Sequence, residues 1–197
     1  RSLEELLGHH VSVLFSPEEL AAAPLRFDLL NAERPVVIER NLLRADGTGK
    51  VDVYASGFRT PNGITAGPDG AIYVTDNQGD WLPSSKLIRV EAGGCYGSRA
   101  VPDEGVMPRE EIPPAVWLPQ DEVGNSPSQP LLLTEGPYAG QMIHGDVYNG
   151  GVKRVFLEDV AGRQQGAVFH FSGGFRGAVN RLARGPDGAI YLGELGN

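Results

Sequence analysis

The sequence predicts an all-β chain, on three observations. From Arg34 onward it consists of short runs rich in Val, Ile, Leu, Phe and Tyr: "PVVIER", "KVDVYAS", "AIYVTD", "KLIRVEA", "PLLLTE", "KRVFLED", "GAVFHF" and "AIYLGE". Gly, Pro, Asn and Asp separate them, which is strand-and-turn punctuation without room for long helices. Its 27 Gly and 15 Pro are spread along the chain, so they mark turns and not a low-complexity tract. Finally, a unit repeats: "GFRTPNGITAGPDGAIYVTDNQG" at 57–79 resembles "GFRGAVNRLARGPDGAIYLGELG" at 174–196.

Both copies read as a Phe-Arg turn, a strand, a Pro-Asp-Gly turn and a second strand. Pro presets φ and Gly supplies φ > 0, so Pro-Asp-Gly between apolar runs is a hairpin. The shared "GPDGAIY" recurs after a shift of 118 residues. Hairpins at long fixed spacing predict propeller blades of roughly 40–50 residues each, two of them plus an insertion accounting for the shift. The Pro-rich stretch at 101–130 is the expected insertion. At about four strands per blade, 197 residues hold at most about four blades. The expectation is therefore an incomplete or divergent set of blades.

Residues 1–33 differ from the propeller segment, 34–197. "SLEELL" carries a capping-box pattern, and "SPEELAAA" places Ser16 at an N-cap, Pro17 at the first helical position and two Glu in the first turn. Two short helices are expected. His9 and His10 are adjacent and would diverge by about 100° on a helix, which suits packing or surface roles better than a metal pair.

The chain is 41% hydrophobic and 21% charged, with 25 acidic against 17 basic residues and a net charge of −8. That balance disfavours nucleic acid, whose phosphates want a basic patch. No run of 18 apolar residues exists to span a membrane. The single cysteine, Cys95, excludes an intramolecular disulfide, a Cys-rich zinc site and a C-x-x-C-H haem attachment. The first residue is Arg and not Met, which reads as a processed or excised piece.

Chemistry concentrates in a few places. Asp76, Asn77 and Asp80 put hard oxygen donors on a short Gly-containing loop after a strand, the chemistry calcium favours. The alternative is that they satisfy turn amides at a strand end. His144, just before Gly145-Asp146, is a candidate channel-facing base. His170 alternates with apolar neighbours and reads as structural. Arg59 recurs as Arg176 in the second copy, which favours a structural role as much as a ligand contact. Trp81 and Trp117 read as packing residues that could also floor a sugar site.

Five elements in order resemble the PQQ-dependent sugar dehydrogenases and their glucose/sorbosone dehydrogenase relatives, a six-bladed propeller family. They are "GFRTPNG", "GPDGAIYVTDNQGD", "KLIRVEAGGCYG", "YAGQMIHGDVYNGGVKRVFL" and "RLARGPDGAIYLGE", spanning about 50–197. The resemblance implies hydride transfer from a sugar or alcohol hydroxyl to pyrroloquinoline quinone (PQQ) with Ca²⁺ polarising the cofactor. It also implies an electron-acceptor protein and a periplasmic or extracellular location. Arg59 falls on the family's cofactor-contacting Arg, with Thr60 where its neighbour is Asn. Asn149 falls near a cofactor-contacting Lys, and Ala178 and Asn180 near an Arg-x-Arg pair. The family's base lies in a blade well upstream of the Gly-x-Arg turn. PQQ carries three carboxylates, so the missing cations leave open a non-catalytic propeller that serves as a binding module. "PNGITAGPDGAIYVTD" also resembles the gluconolactonase/senescence-marker propellers, which would make Asn62 a divalent-metal ligand in a lactonase.

Overall fold

The computed structural model describes residues 15–22, 53–78, 82–98 and 110–196, and the chain divides into two compact units, 1–52 and 53–197. In the first unit the described element is helix α1 (Pro17–Ala22). Ser16 caps it: its Oγ accepts the Glu19 N–H at 3.1 Å and its carbonyl the Leu20 N–H at 3.0 Å. The expected helix at "SLEELL", His9, His10, the strand "PVVIER", Asp80 and Trp81 lie outside the described residues.

The second unit is built of antiparallel meanders. Strands β1 (Pro61–Ala66), β2 (Ile72–Asp76), β3 (Ser84–Val90) and β4 (Val116–Pro119) form one four-stranded sheet in sequence order. Strands β5 (Leu131–Leu132), β6 (Met142–Gly145), β7 (Val152–Val160) and β8 (Arg163–Ser172) form a second in the same order. Strands β9 (Ala178–Arg184) and β10 (Ile190–Leu195) pair as a third. Among the described residues, two four-stranded blades and a two-stranded part of a third make an incomplete propeller, as the sequence predicts.

The two hairpins of the repeat close with the same hydrogen bonds. Gly70 and Gly188, at φ 76° and 80°, donate to the carbonyls of Gly67 and Gly185 at 3.0 Å. Asp69 and Asp187 each accept the N–H two residues on, at 3.1 Å. A side chain at Gly70 or Gly188 would sit in a left-handed conformation that glycine adopts without cost.

Alternate residues of the inner strands serve opposite faces, which is why these strands read as continuous apolar runs. Tyr73 and Leu87 pack with Val116, Leu118, Met142 and Val155 between the first two sheets. Ile143, Val152 and Leu133 pack with Val179 and Leu182 between the second sheet and β9. Val74, Ile88 and Tyr96 cover the remaining face of the first sheet with Phe58 and Ile112. Each fully buried side chain of this size contributes about 1.5–3 kcal/mol relative to exposure.

Two places differ from the sequence expectation. The described part of "KVDVYAS" is not a strand: Ser56 forms a single parallel bridge with Cys95, and Val53 and Tyr54 are exposed. Inside the Pro-rich 101–130 stretch, Val116–Pro119 supplies the fourth strand of the first sheet.

Sheets meet closely where glycine stands. A Cβ on Gly145 would lie 2.4 Å from the Val179 carbonyl oxygen and 2.6 Å from Ser128 Oγ. Gly145→Ala therefore forces β6 and β9 apart, and the expected loss is about 2 kcal/mol, read as a lower denaturant midpoint.

Candidate functional site

The end of β2, the end of β6 and the starts of β1 and β9 gather most of the polar residues singled out from sequence. Asp76 closes β2 and is fully buried. Its Oδ1 accepts the Thr60 N–H at 2.7 Å, and Oδ2 the Arg59 N–H at 3.0 Å. Beside it, Asn77 donates its N–H to Thr60 O and its side-chain amide to Ser126 Oγ, both at 3.3 Å. The carboxylate thus holds the turn that leads into β1, and the Arg59 side chain is presented at the exposed end of that turn.

Asp146 does the same work after β6. Its Oδ1 accepts the N–H groups of Tyr148 and Asn149 at 2.9 Å, and Oδ2 the Asn149 amide at 3.4 Å. Its backbone carbonyl accepts from Val179 N at 3.2 Å, which ties β9 to the second sheet. Asn149 is exposed, so its backbone and amide serve the Asp146 turn while it remains at the surface.

Asn62 and Asn180 stand at the same distance before the shared Gly-Pro-Asp-Gly of the two repeat copies. In the folded chain they touch: Asn62 Nδ2 donates to Asn180 Oδ1 at 3.3 Å and to Pro127 O at 3.3 Å. Arg181 completes the cluster, with Nη1 within 3.1–3.2 Å of the backbone and side-chain oxygens of both asparagines. Arg181 and Arg59 are both exposed and set cationic groups near Asn62, one beside it in space and one three residues before it in sequence.

Arg181 is the residue that the sequence reading missed. The signal was present: it follows Asn180 directly and occupies the position of Gly63 in the other copy. Also missed was Ser126–Ser128, which binds Asn77, Asn62 and, through the Ser128 carbonyl, Thr75 Oγ1 at 2.9 Å. Ser126 adopts φ 67°, a conformation that turns the segment between the sheets.

His144 does not join this cluster. It is fully buried, its Nδ1 lies 2.8 Å from Gly145 O, and its Nε2 is buried without a hydrogen-bond partner. Burial pushes its pKa down to about 4, against smaller opposing effects of the Gly145 carbonyl and Asp146, so the ring is neutral at pH 7. His170 lies on β8 and is exposed, and Trp117 packs within 5.6 Å of the Lys86 ammonium.

The donor set speaks differently to the two groups that the resemblance implies. Among the described residues no three His, Cys, Asp or Glu side chains converge to hold a metal ion. Asp76 has both oxygens engaged by backbone N–H groups, and the Asn62 oxygen faces a guanidinium. Calcium at these residues would need such oxygens released from their protein donors and backbone carbonyls to complete its shell. Arg59 and Arg181 are exposed guanidinium groups and Asn62 and Asn180 carry side-chain amides, groups of the kind that pair with carboxylates.

No protein-family model and no curated protein matches the chain. The fold, however, is that of solved sugar dehydrogenases. A structure described as an oxidoreductase (glucose dehydrogenase) from Thermus thermophilus superposes with a TM-score of 0.55 at 24% identity, over 76% of this chain and 43% of that one. A glucose dehydrogenase gives 0.55 at 19% identity, over 76% and 44%. The apo soluble aldose sugar dehydrogenase of Escherichia coli gives 0.53 at 12% identity, over 75% and 44%. The chain thus spans less than half the length of the structures it resembles, and at these identities the likeness is one of fold.

Proposed function

We propose that the chain forms blades of a propeller dehydrogenase that oxidises a sugar or alcohol hydroxyl with PQQ as hydride acceptor. The observation that carries this reading is the Asn62–Asn180–Arg181 cluster, in which equivalent residues of two blades converge beside an exposed guanidinium. Fold likeness to sugar dehydrogenases supports it. When bound, the quinone supplies a carbonyl-bearing ring that accepts hydride. This chain's part is to bind and orient: Arg59 and Arg181 pair with cofactor carboxylates, while Thr60, Asn149 and Asn180 offer hydrogen bonds at the same edge. The base that takes the hydroxyl proton belongs, on this reading, to a blade upstream of Gly57. An electron-acceptor protein and a periplasmic or extracellular location come with the same reading. Among the described residues no helix is long and apolar enough to cross a membrane.

Asn149 and Asn180, standing where the resemblance puts cations, favour a second reading, a propeller that binds ligands without catalysis. Aldose-dependent dye reduction by the protein supplied with PQQ and Ca²⁺ separates the two. Turnover supports the dehydrogenase, and saturable PQQ binding without turnover supports the binding module. In either case Arg181→Gln raises the PQQ concentration for half-saturation about tenfold, the equivalent of one charge-assisted hydrogen bond. An unchanged half-saturation would remove Arg181 from the site.

A further inference from the structure

We propose that Lys153 is a carbonyl-reactive amine in a second site, which condenses with small hydroxyaldehydes to form an imine. The site is a cavity of about 490 Å³ at the end of the second blade, which shares Asn149 with the cofactor residues proposed above and none of Arg59, Thr60, Asn62, Asn180 and Arg181. Lys153 lines it together with Gly150, Gly151, His170 and Phe171. Lys153 is 3% exposed, and Nζ donates to the Gly150 carbonyl at 3.0 Å, so the amine sits in the wall that Gly150 and Gly151 form. Gly151, at φ 74°, would carry its Cβ 3.6 Å from Nζ, and having none leaves that approach clear.

Burial shifts the Lys153 amine towards its neutral form. Burial lowers the Lys153 pKa, with the Asp146 carboxylate acting in the opposite direction. The groups facing it are His144, its partner on β6, Asp146 just after that strand, its cross-strand partner His170 on β8, and Asp121 and Glu122 from the loop across the cavity. His144 is uncharged at pH 7. A desolvated lysine in a cavity is the form that attacks carbonyls. Asn149, Ser172 and the loop carboxylates suit hydroxyl groups, and Phe171 and Phe175 suit the C–H face of a polyol.

The step balances without an oxidant. The Nζ lone pair adds to the aldehyde carbon, and the carbonyl π electrons move to oxygen. An Nζ proton passes to that oxygen. Loss of the hydroxyl together with the second N–H proton as water leaves C=N, so amine and aldehyde give imine and water.

The sequence holds three lysines, Lys50, Lys86 and Lys153, so the test is a short peptide map. The full chain is incubated at pH 7 with glycolaldehyde and cyanoborohydride, folded and in guanidinium chloride, and the adduct at each lysine is quantified. Folding ordinarily protects a buried lysine. The proposal expects the reverse at Lys153, severalfold more adduct folded than unfolded, while Lys86, buried against the Tyr96 carbonyl, gains none. Equal or lower labelling of Lys153 in the folded chain overturns it. Because no quinone takes part, the result is independent of the dehydrogenase reading.

Discussion

Asp76→Ala lowers stability by about 3 kcal/mol, because the fully buried carboxylate that accepts two part-buried backbone N–H groups is lost from the end of β2. The carboxylate accepts from both Arg59 and Thr60 and so ties the start of β1 to the end of β2. Asp76→Asn keeps the shape and one acceptor oxygen, so the expected loss is about half as large. Guanidinium denaturation of the three proteins checks the order. Since the turn carries Arg59, ligand binding at this edge is expected to weaken along with stability. If the Ala variant unfolds at the wild-type midpoint, Asp76 is not the anchor of the β1 turn.

The second large effect is a pH dependence centred on His144. Its folded pKa of about 4 lies below the ordinary 6.5, so between these values the unfolded chain binds a proton that the native state refuses. Stability therefore rises with pH across this window: the contribution is complete above about 6.5 and is lost as pH falls towards 4, about 3 kcal/mol in all. Denaturation midpoints at pH 7 and pH 4.5 measure it. His144→Gln removes the titrating ring, and its midpoint is expected to fall less between the two pH values than that of the wild type. A wild-type loss no larger than the variant's would contradict the buried, neutral ring.

What the sequence made legible follows from where local chemistry decides structure. Pro-Asp-Gly specifies its hairpin through its own backbone and side-chain bonds, so β1–β2 and β9–β10 could be read from residues 57–79 and 174–196. Apolar runs such as "AIYVTD" were legible because burial on both faces demands them. Strand β4 was not, since "PPAVWLPQ" owes its pairing to β3, far back in the chain, and its prolines signal loop. Asp76 and Asn77 were visible as a polar pair, but their partners, Arg59, Thr60 and Ser126, are set by tertiary contact. The Asn62–Asn180 contact joins residues 118 apart and could be anticipated only by asking which repeat positions face the same axis. His144 shows the opposite difficulty: its neighbours Gly145 and Asp146 look like a channel rim, and packing against β7 and β9 encloses it.

The most direct test of the account is a PQQ titration of the protein, followed by quinone absorbance and compared with Arg59→Gln and Arg181→Gln. The expected result is saturable binding that each substitution weakens about tenfold and that the double substitution weakens further. Binding that is unaffected by both, or no binding at tens of micromolar quinone, would contradict a cofactor site built on this edge of the blades.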